Sequence, residues 1–433
     1  MYLLLAIAFI IGYIFIALEH PLKIDKAASA ILTGVLCWVI LVLGESTIFE
    51  TPKDAHFIDE SILHHLGEIS QILFFLLGAM TIVELIDTHG GFHIITSKIK
   101  TTNRVKLLWI IGLVTFVLSS VLDNLTTTIV MAALLKKLMK DQEDIWFFGG
   151  IVVIAANAGG AWSPIGDVTT IMLWIGGQIT AVNIIKEVLI PSIVCLSVPL
   201  LALSFLKKGN IIQNTNTTTA GAEHQPTASS FEASLILWLG VAGLLFVPVF
   251  KTITHLPPFM GILFSLGILW VVTEVIHKNK PVAQRQSLSV ASVIRKVDTP
   301  SVLFFLGILL AVASLQTGGH LIQVATWLND TFGNIYIINI IIGLISSIVD
   351  NVPLVAGAMG MYPLSLYPQD HEFWELLAYC AGTGGSSLII GSAAGVAIMG
   401  ILKIDFIWYL KKISWLAILG YLSGVITYYI MNL

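Results

Sequence analysis

The sequence predicts an all-α, polytopic membrane protein made of two inverted repeats of five spans, each with a re-entrant hairpin and a centrally unwound helix. Three observations predict it. Hydrophobic residues make up 56% of the 433-residue chain and charged residues 11%, against roughly 25% charged in a soluble domain. So few charges cannot cover a water-facing globule. Apolar segments of about 20 residues, the length that crosses a bilayer as a helix, recur from end to end. A set of polar and glycine motifs also occurs twice, in the same order.

Taken in chain order, residues 2–18 form the first span. They lack a basic lead and a small-residue cleavage site, so a retained span is expected and not a signal peptide. Further spans are expected over 27–44, 69–87, 183–206, 234–250, 258–277, 300–316 and 406–430. Residues 105–139 are apolar but broken at Leu122-Asp123-Asn124-Leu125, with flanks too short to cross alone, and read as a hairpin. Residues 335–362 are broken in the same way at Val349-Asp350-Asn351-Val352. The segments 145–178 and 372–401 are interrupted by Asn157-Ala158-Gly159-Gly160 and Gly382-Thr383-Gly384-Gly385, and read as spans unwound at their centres. Residues 45–67 and 278–298 look aqueous. A Thr-, Asn-, Ala- and Ser-rich stretch, 207–233, reads as a flexible cytoplasmic linker. It divides a first repeat, 1–206, from a second, 234–433.

The repeat is visible residue by residue. Phe74-Phe75-Leu76 and Gly78 return as Phe304-Phe305-Leu306 and Gly307, and Gly90-Gly91 as Gly318-Gly319. Ser119-Ser120-Val121-Leu122-Asp123-Asn124 returns as Ser346-Ser347-Ile348-Val349-Asp350-Asn351. Gly159-Gly160 and Gly166 return as Gly384-Gly385 and Gly391. If each hairpin enters and leaves on one face, each half has an odd number of crossings, so the halves are inverted. The positive-inside rule tests this independently. With both termini outside, only Lys53, Lys186 and Lys251 of the 22 basic residues fall on the outer side.

Composition also excludes functions. A net charge of −4 argues against a nucleic-acid partner. Cys37, Cys195 and Cys380 lie in apolar stretches without paired spacing and read as reduced packing residues. There is no G-x-x-x-x-G-K-[ST] and no H-E-x-x-H, so ATP-driven transport and zinc proteolysis lose their usual anchors. An enzyme is not expected, nor a cofactor. Transport must run on ion gradients or diffusion.

Irregular backbone survives at membrane depth only when buried in protein or lining water, and inverted repeats with broken helices place ligands near the midplane. Asp123 and Asp350 fall at that level, each beside an Asn. A carboxylate at the bilayer centre costs at least about 2.5 kcal/mol, so a pair at equivalent positions points to a site. The plainer reading is that each caps the half-helix after it. Candidate oxygen ligands in the first half are Ser119, Ser120, Asp123, Asn124 and Thr126, facing Asn157, Gly159, Ser163 and Asp167. In the second half they are Ser346, Ser347, Asp350 and Asn351, facing Thr383, Gly384 and Ser386. Such donors suit a small hard cation; Asp123, Asn124, Asn157 and Asp350 are the expected Na⁺ ligands. Burial disfavours an ionised carboxyl, which lets one group hold either a proton or a metal ion. Asp167 is matched in the repeat only by Ser392, and Thr126 by Pro353, so the halves are not equivalent. Asp123 is expected to bind the cation, with Asp350 supplying protonation or a second site. Glu84 and Asp87, near the inner end of the third span, are candidate proton-entry groups.

At these motifs the sequence resembles a known family. Ser-Ser-Val-Leu-Asp-Asn-Leu-Thr-Thr-Thr (119–128) and Asn-Ala-Gly-Gly-Ala-Trp-Ser-Pro-Ile-Gly-Asp-Val-Thr-Thr (157–170) resemble the signatures of the NhaD-type sodium/proton antiporters. So do Asp-Asn-Val-Pro-Leu (350–354) and Gly-Thr-Gly-Gly-Ser-Ser-Leu-Ile-Ile-Gly-Ser-Ala-Ala-Gly (382–395). The resemblance implies membership of the wider ion-transporter superfamily, with a homodimer, a scaffold and a moving transport domain. It implies exchange of Na⁺, and of Li⁺, for H⁺ across a bacterial-type inner membrane. Symporters of that superfamily carry Ser-Asn-Thr at their hairpin tips, where this chain has Asp-Asn-Leu and Asp-Asn-Val. The alternative on the same fold is an oxyanion or dicarboxylate carrier. It would want basic groups around its cavity, yet no Lys or Arg lies at the motif tips.

Overall fold

The computed structural model describes residues 1–49, 56–97, 99, 101–206, 209–211 and 228–433. Most of the expected linker lies outside these residues, as do Lys53, Lys98, Lys100, Lys207 and Lys208 of the charge pattern. Among the described residues helices are joined by turns and loops, with no strand. Its helices of eight residues or more are α1 (Tyr2–Ala17), α2 (Lys26–Leu43), α3 (Phe57–Thr88), α4 (Arg104–Leu122), α5 (Asn124–Leu138), α6 (Gln142–Ala161), α7 (Val168–Ile175) and α8 (Ala181–Leu206). The second half continues with α9 (Ser230–Thr254), α10 (Pro258–His277), α11 (Thr299–Thr317), α12 (His320–Phe332), α13 (Ile335–Ile345), α14 (Asn351–Met361), α15 (Glu372–Gly384), α16 (Ala393–Leu402) and α17 (Ser414–Met431). Among the described residues nine helices are long and apolar enough to cross a membrane, or up to eleven if each strongly bent pair is one span.

Exposure runs opposite to that of a soluble protein. Leu32, Val35 and Leu36 of α2, Trp238, Leu245 and Val249 of α9, and Val271 and Val275 of α10 are all exposed. With hydrocarbon as solvent, apolar side chains have no reason to turn inward. What drives packing there is close backbone approach and interhelical hydrogen bonding. α6 and α15 are enclosed on all sides and form the centre of the molecule.

The contacts have a two-fold pattern. α4 packs on α6 as α13 packs on α15, and α2 on α11 as α10 on α3. α5 meets α16 as α14 meets α7, while α6–α15 and α8–α17 join equivalent helices of the two halves. Each half therefore presents the same surface to the other, as in an isologous interface. The open ends of each broken pair also lie together. Arg104, at the start of α4, bonds Asp144 at 2.6 Å, in the first turn of α6, which three residues separate from α5. Tyr362, after α14, reaches Asn329 at 3.4 Å, in the last turn of α12, which two residues separate from α13.

Several expectations need correction. The interruptions in 145–178 and 372–401 exist, but not at the glycines. α6 stays helical through Asn157, Gly159 and Gly160 and breaks only over 162–167. α15 likewise includes Gly382, Thr383 and Gly384, and the break follows a short 3₁₀ turn, Gly385–Ser387. The glycines serve packing. A Cβ on Gly159 would sit 2.3 Å from the Phe116 carbonyl oxygen, and one on Gly384 2.0 Å from that of Gly343. α4, at 19 residues, is longer than expected of a hairpin arm. The stretch 45–67 is helical from Phe57 onward. The expected end of the linker is helical from Ser230, where Ser229 and Glu232 form a capping box. The expected 406–430 span divides into Phe406–Lys412 and α17. α12 was not foreseen; His320, Leu321, Ala325 and Leu328 make its buried stripe.

Candidate functional site

Four helix starts meet at the centre, and each start is built by its own side chain. Asp123 caps α5, accepting the Thr126 amide at 2.8 Å and the Thr126 hydroxyl at 2.9 Å. Asp167 caps α7 through the Thr169 amide at 3.1 Å, and Asp350 caps α14 through the Val352 amide at 3.2 Å. Ser392, the repeat counterpart of Asp167, caps α16.

The links between the halves run through amides. Asn124 Nδ2 donates to Asp167 Oδ2 at 2.8 Å and to Asn157 Oδ1 at 3.2 Å. Asn157, fully buried, donates to the Ser386 and Ser392 hydroxyls, both at 2.9 Å. From the second half, Asn351 Nδ2 approaches Asp167 to 3.4 Å. Among the described residues Asp167 is therefore the one carboxylate contacted by both Asn124 and Asn351, and it is only 1% exposed. The sequence marked it as extra polarity in the first half; its central place comes from the fold.

Asp123, Asn124, Asp167, Asp350 and Asn351 all border one cavity of about 60 Å³, room for several water molecules. Its apolar wall comes from Phe75, Leu76, Leu244 and Phe305. The other expected ligands are engaged elsewhere. Ser119 and Ser346 donate to the Ala156 and Ala381 carbonyls at 2.6 and 2.8 Å, tying each tip to α6 and α15. Ser120 and Ser347 donate back into their own helices, as does Thr383. Ser163 accepts a long bond, 3.4 Å, from the Ile165 amide. Gly159 and Gly384 are packing glycines. Glu84 and Asp87 do not border the cavity; Glu84 lies 3.8 Å from Lys296 and Asp87 is exposed.

Three contributors escaped the sequence reading. Ser392 bonds Asn157, and its alignment with Asp167 was the available signal. Tyr13 and Lys26 reach Asp350 from α1 and α2, and nothing local in the sequence marks them.

The two Asp tips differ in backbone. Asp350 is relaxed, at φ −50°, whereas Asp123 has φ 91° and ψ 158°. That region is open almost only to glycine and costs about 1–3 kcal/mol for other residues. Glycine also replaces a capping residue at a cost of only a few tenths of a kcal/mol. Asp123→Gly is therefore expected to raise the thermal midpoint of the detergent-solubilised protein, by about 1 kcal/mol of stability. A lower midpoint would mean that the conformation carries no strain.

The chain is similar to known proteins along most of its length. The family model described as "Citrate transporter" matches residues 4–384. Sodium/proton antiporter 1 of Arabidopsis thaliana is 47% identical over 98% of this chain and 71% of its own length. Sodium/proton antiporter 2 of the same plant is 45% identical over 98% of both chains. The Na⁺/H⁺ antiporter NhaD of Vibrio cholerae is 29% identical over 98% of this chain and 90% of its own.

Proposed function

The chain belongs to the citrate-transporter family and, within it, to the NhaD-type sodium/proton antiporters, and on that premise we propose that it exchanges Na⁺, and also Li⁺, for H⁺ across a bacterial-type inner membrane. One observation carries the choice of ion. Of the described residues bordering the central cavity, three are aspartates, contributed by both halves, and one is a lysine. An anionic substrate would meet three carboxylates. A small cation meets carboxylate and amide oxygens, the donors hard cations prefer.

In this reading Asp123, Asp167 and Asp350 are the exchangeable groups. Asn124 and Asn351 orient Asp167 and lend their carbonyl oxygens. Entry of Na⁺ releases protons from these carboxyls, and reprotonation from the other side expels the ion. The sequence expectation of Asp123 as the cation ligand is kept. Asp167 is added as the group both tips share, so Asp350 is no longer the sole partner.

The broken pairs α4–α5 and α13–α14 act as re-entrant hairpins, a reading supported by the adjacency of their open ends. The division into repeats 1–206 and 234–433, inverted in the membrane, is supported by the exchanged contact pattern and by the basic residues. Lys26 and Ser301 stand in the first turns of α2 and α11. On that topology, with both termini outside, the cavity opens inward. Helices α4–α7 and α13–α16 then move as a transport body past α1–α3 and α9–α11, in an elevator-type cycle within a homodimer.

The test uses purified protein in sealed vesicles with an internal pH dye. Sodium added to vesicles acidified inside should dequench the dye, lithium should do likewise, and arsenite, succinate or citrate should not. A sodium-independent response to citrate or succinate would overturn the proposal in favour of an anion carrier.

A further inference from the structure

Among the described residues bordering the cavity Lys26 is the only basic one, and its position is unusual on two counts. It is the first residue of α2, where the helix dipole disfavours a cation. It also turns inward. Its Nζ lies 3.9 Å from Asp350 Oδ2 and 4.6 Å above the Phe304 ring, and its side chain is 25% exposed. The separation is loose beside Arg104–Asp144 and Lys280–Glu232, both at 2.6 Å. Tyr13 fixes the other side of the tip, its phenol oxygen accepting the Asp350 amide at 2.9 Å. Lys26 and Asp350 also border a second cavity, where Tyr13, Glu19 and Ser392 stand among apolar residues such as Ile16 and Ile348, so Glu19 offers a second carboxylate on its rim. Asp123 and Asp167 form no ion pair among the described residues.

We propose that Lys26 is a tethered competitor for the transported cation: its ammonium rests on Asp350 while the site is empty and is displaced when Na⁺ enters. The inference rests on Asp350 being a site carboxylate. A carboxylate only 20% exposed is poorly hydrated, so a cation beside it keeps the unloaded cavity tolerable. A loose, half-solvated pair is weak enough to yield to an ion held by several oxygens. The pair also joins α2 to the tip before α14, so loading the site and loosening the tip from α2 become one event. Lys26 would thereby set the apparent sodium affinity without being part of the exchange chemistry.

The experiment is a double-mutant cycle on the full chain in vesicles, reading the KM for sodium. Lys26→Gln should lower KM about three- to tenfold, the scale of a modest ion pair. Lys26→Arg, which keeps the charge, should leave KM near the parent value and serves as a second variant if the glutamine form folds poorly. In an Asp350→Asn background, where apparent sodium affinity is read without turnover as the sodium dependence of the thermal midpoint in detergent, Lys26→Gln should no longer change that affinity. An unchanged or raised KM in Lys26→Gln, a lowered KM in Lys26→Arg, or an effect that persists without Asp350, would overturn the proposal. Parent-like rate and KM in Asp350→Asn alone would instead remove Asp350 from the site, a separate failure.

Discussion

Asp167→Asn lowers the initial rate of sodium-driven proton movement at least about 100-fold in vesicles, with yield and elution profile unchanged. The loss follows from position. Asp167 receives Asn124 from the start of α5 and Asn351 from the start of α14, and it is almost fully enclosed. An amide of the same shape carries no charge and holds no exchangeable proton. Even groups one shell removed from a bound ion cost up to about 100-fold when lost. The fold should survive, because Asn caps a helix about as well as Asp and the Thr169 amide keeps its acceptor. Asp123→Asn should behave in the same way, since its amide can still accept from Thr126. Normal exchange in either variant would remove that residue from the proton cycle. A variant that fails to fold would mark the carboxylate as structural.

Gly384→Ala is expected to destabilise the protein by at least about 3 kcal/mol, the upper end of penalties for overpacking. Its Cβ would meet the Gly343 carbonyl oxygen at 2.0 Å and carbon at 2.6 Å. Both are backbone atoms of α13, which cannot turn aside as a side chain would. Helix α13 would have to lift from α15, moving Asp350 beyond its end with it. Gly267→Ala on α10 is the control, for its Cβ meets nothing within 4 Å. There alanine gains helix propensity, up to about 1 kcal/mol. Thermal unfolding in detergent should separate the two by a large margin. A Gly384→Ala midpoint close to the parent's would contradict the close α13–α15 contact.

Much of the site was legible because polar groups are expensive in an apolar sequence. Asp-Asn twice, each after Ser-Ser, could be found from chemistry and repetition alone, and the structure places both at helix starts. The breaks were harder to place. Gly159-Gly160 and Gly384-Gly385 read as weak points because glycine disfavours helix. In the structure the missing Cβ instead lets Phe116 and Gly343 lie against the helix. Burial overrode propensity. Pro164 was the better signal, since helices usually end before the residue preceding a proline, and α6 stops just ahead of it.

By itself the sequence determined a polytopic helical membrane protein, its two-fold internal repeat, and the two Asp-Asn tips. Each of these follows from costs that are local: apolar length against bilayer thickness, and a carboxylate among hydrocarbon side chains. Tertiary structure alone decided that Asp167 stands where both tips meet, that the glycines are packing surfaces, and that Lys26 and Tyr13 reach Asp350. Those facts depend on which distant backbones approach one another. Such an approach is set by the summed fit of many side chains across both halves, and no short stretch of sequence encodes it.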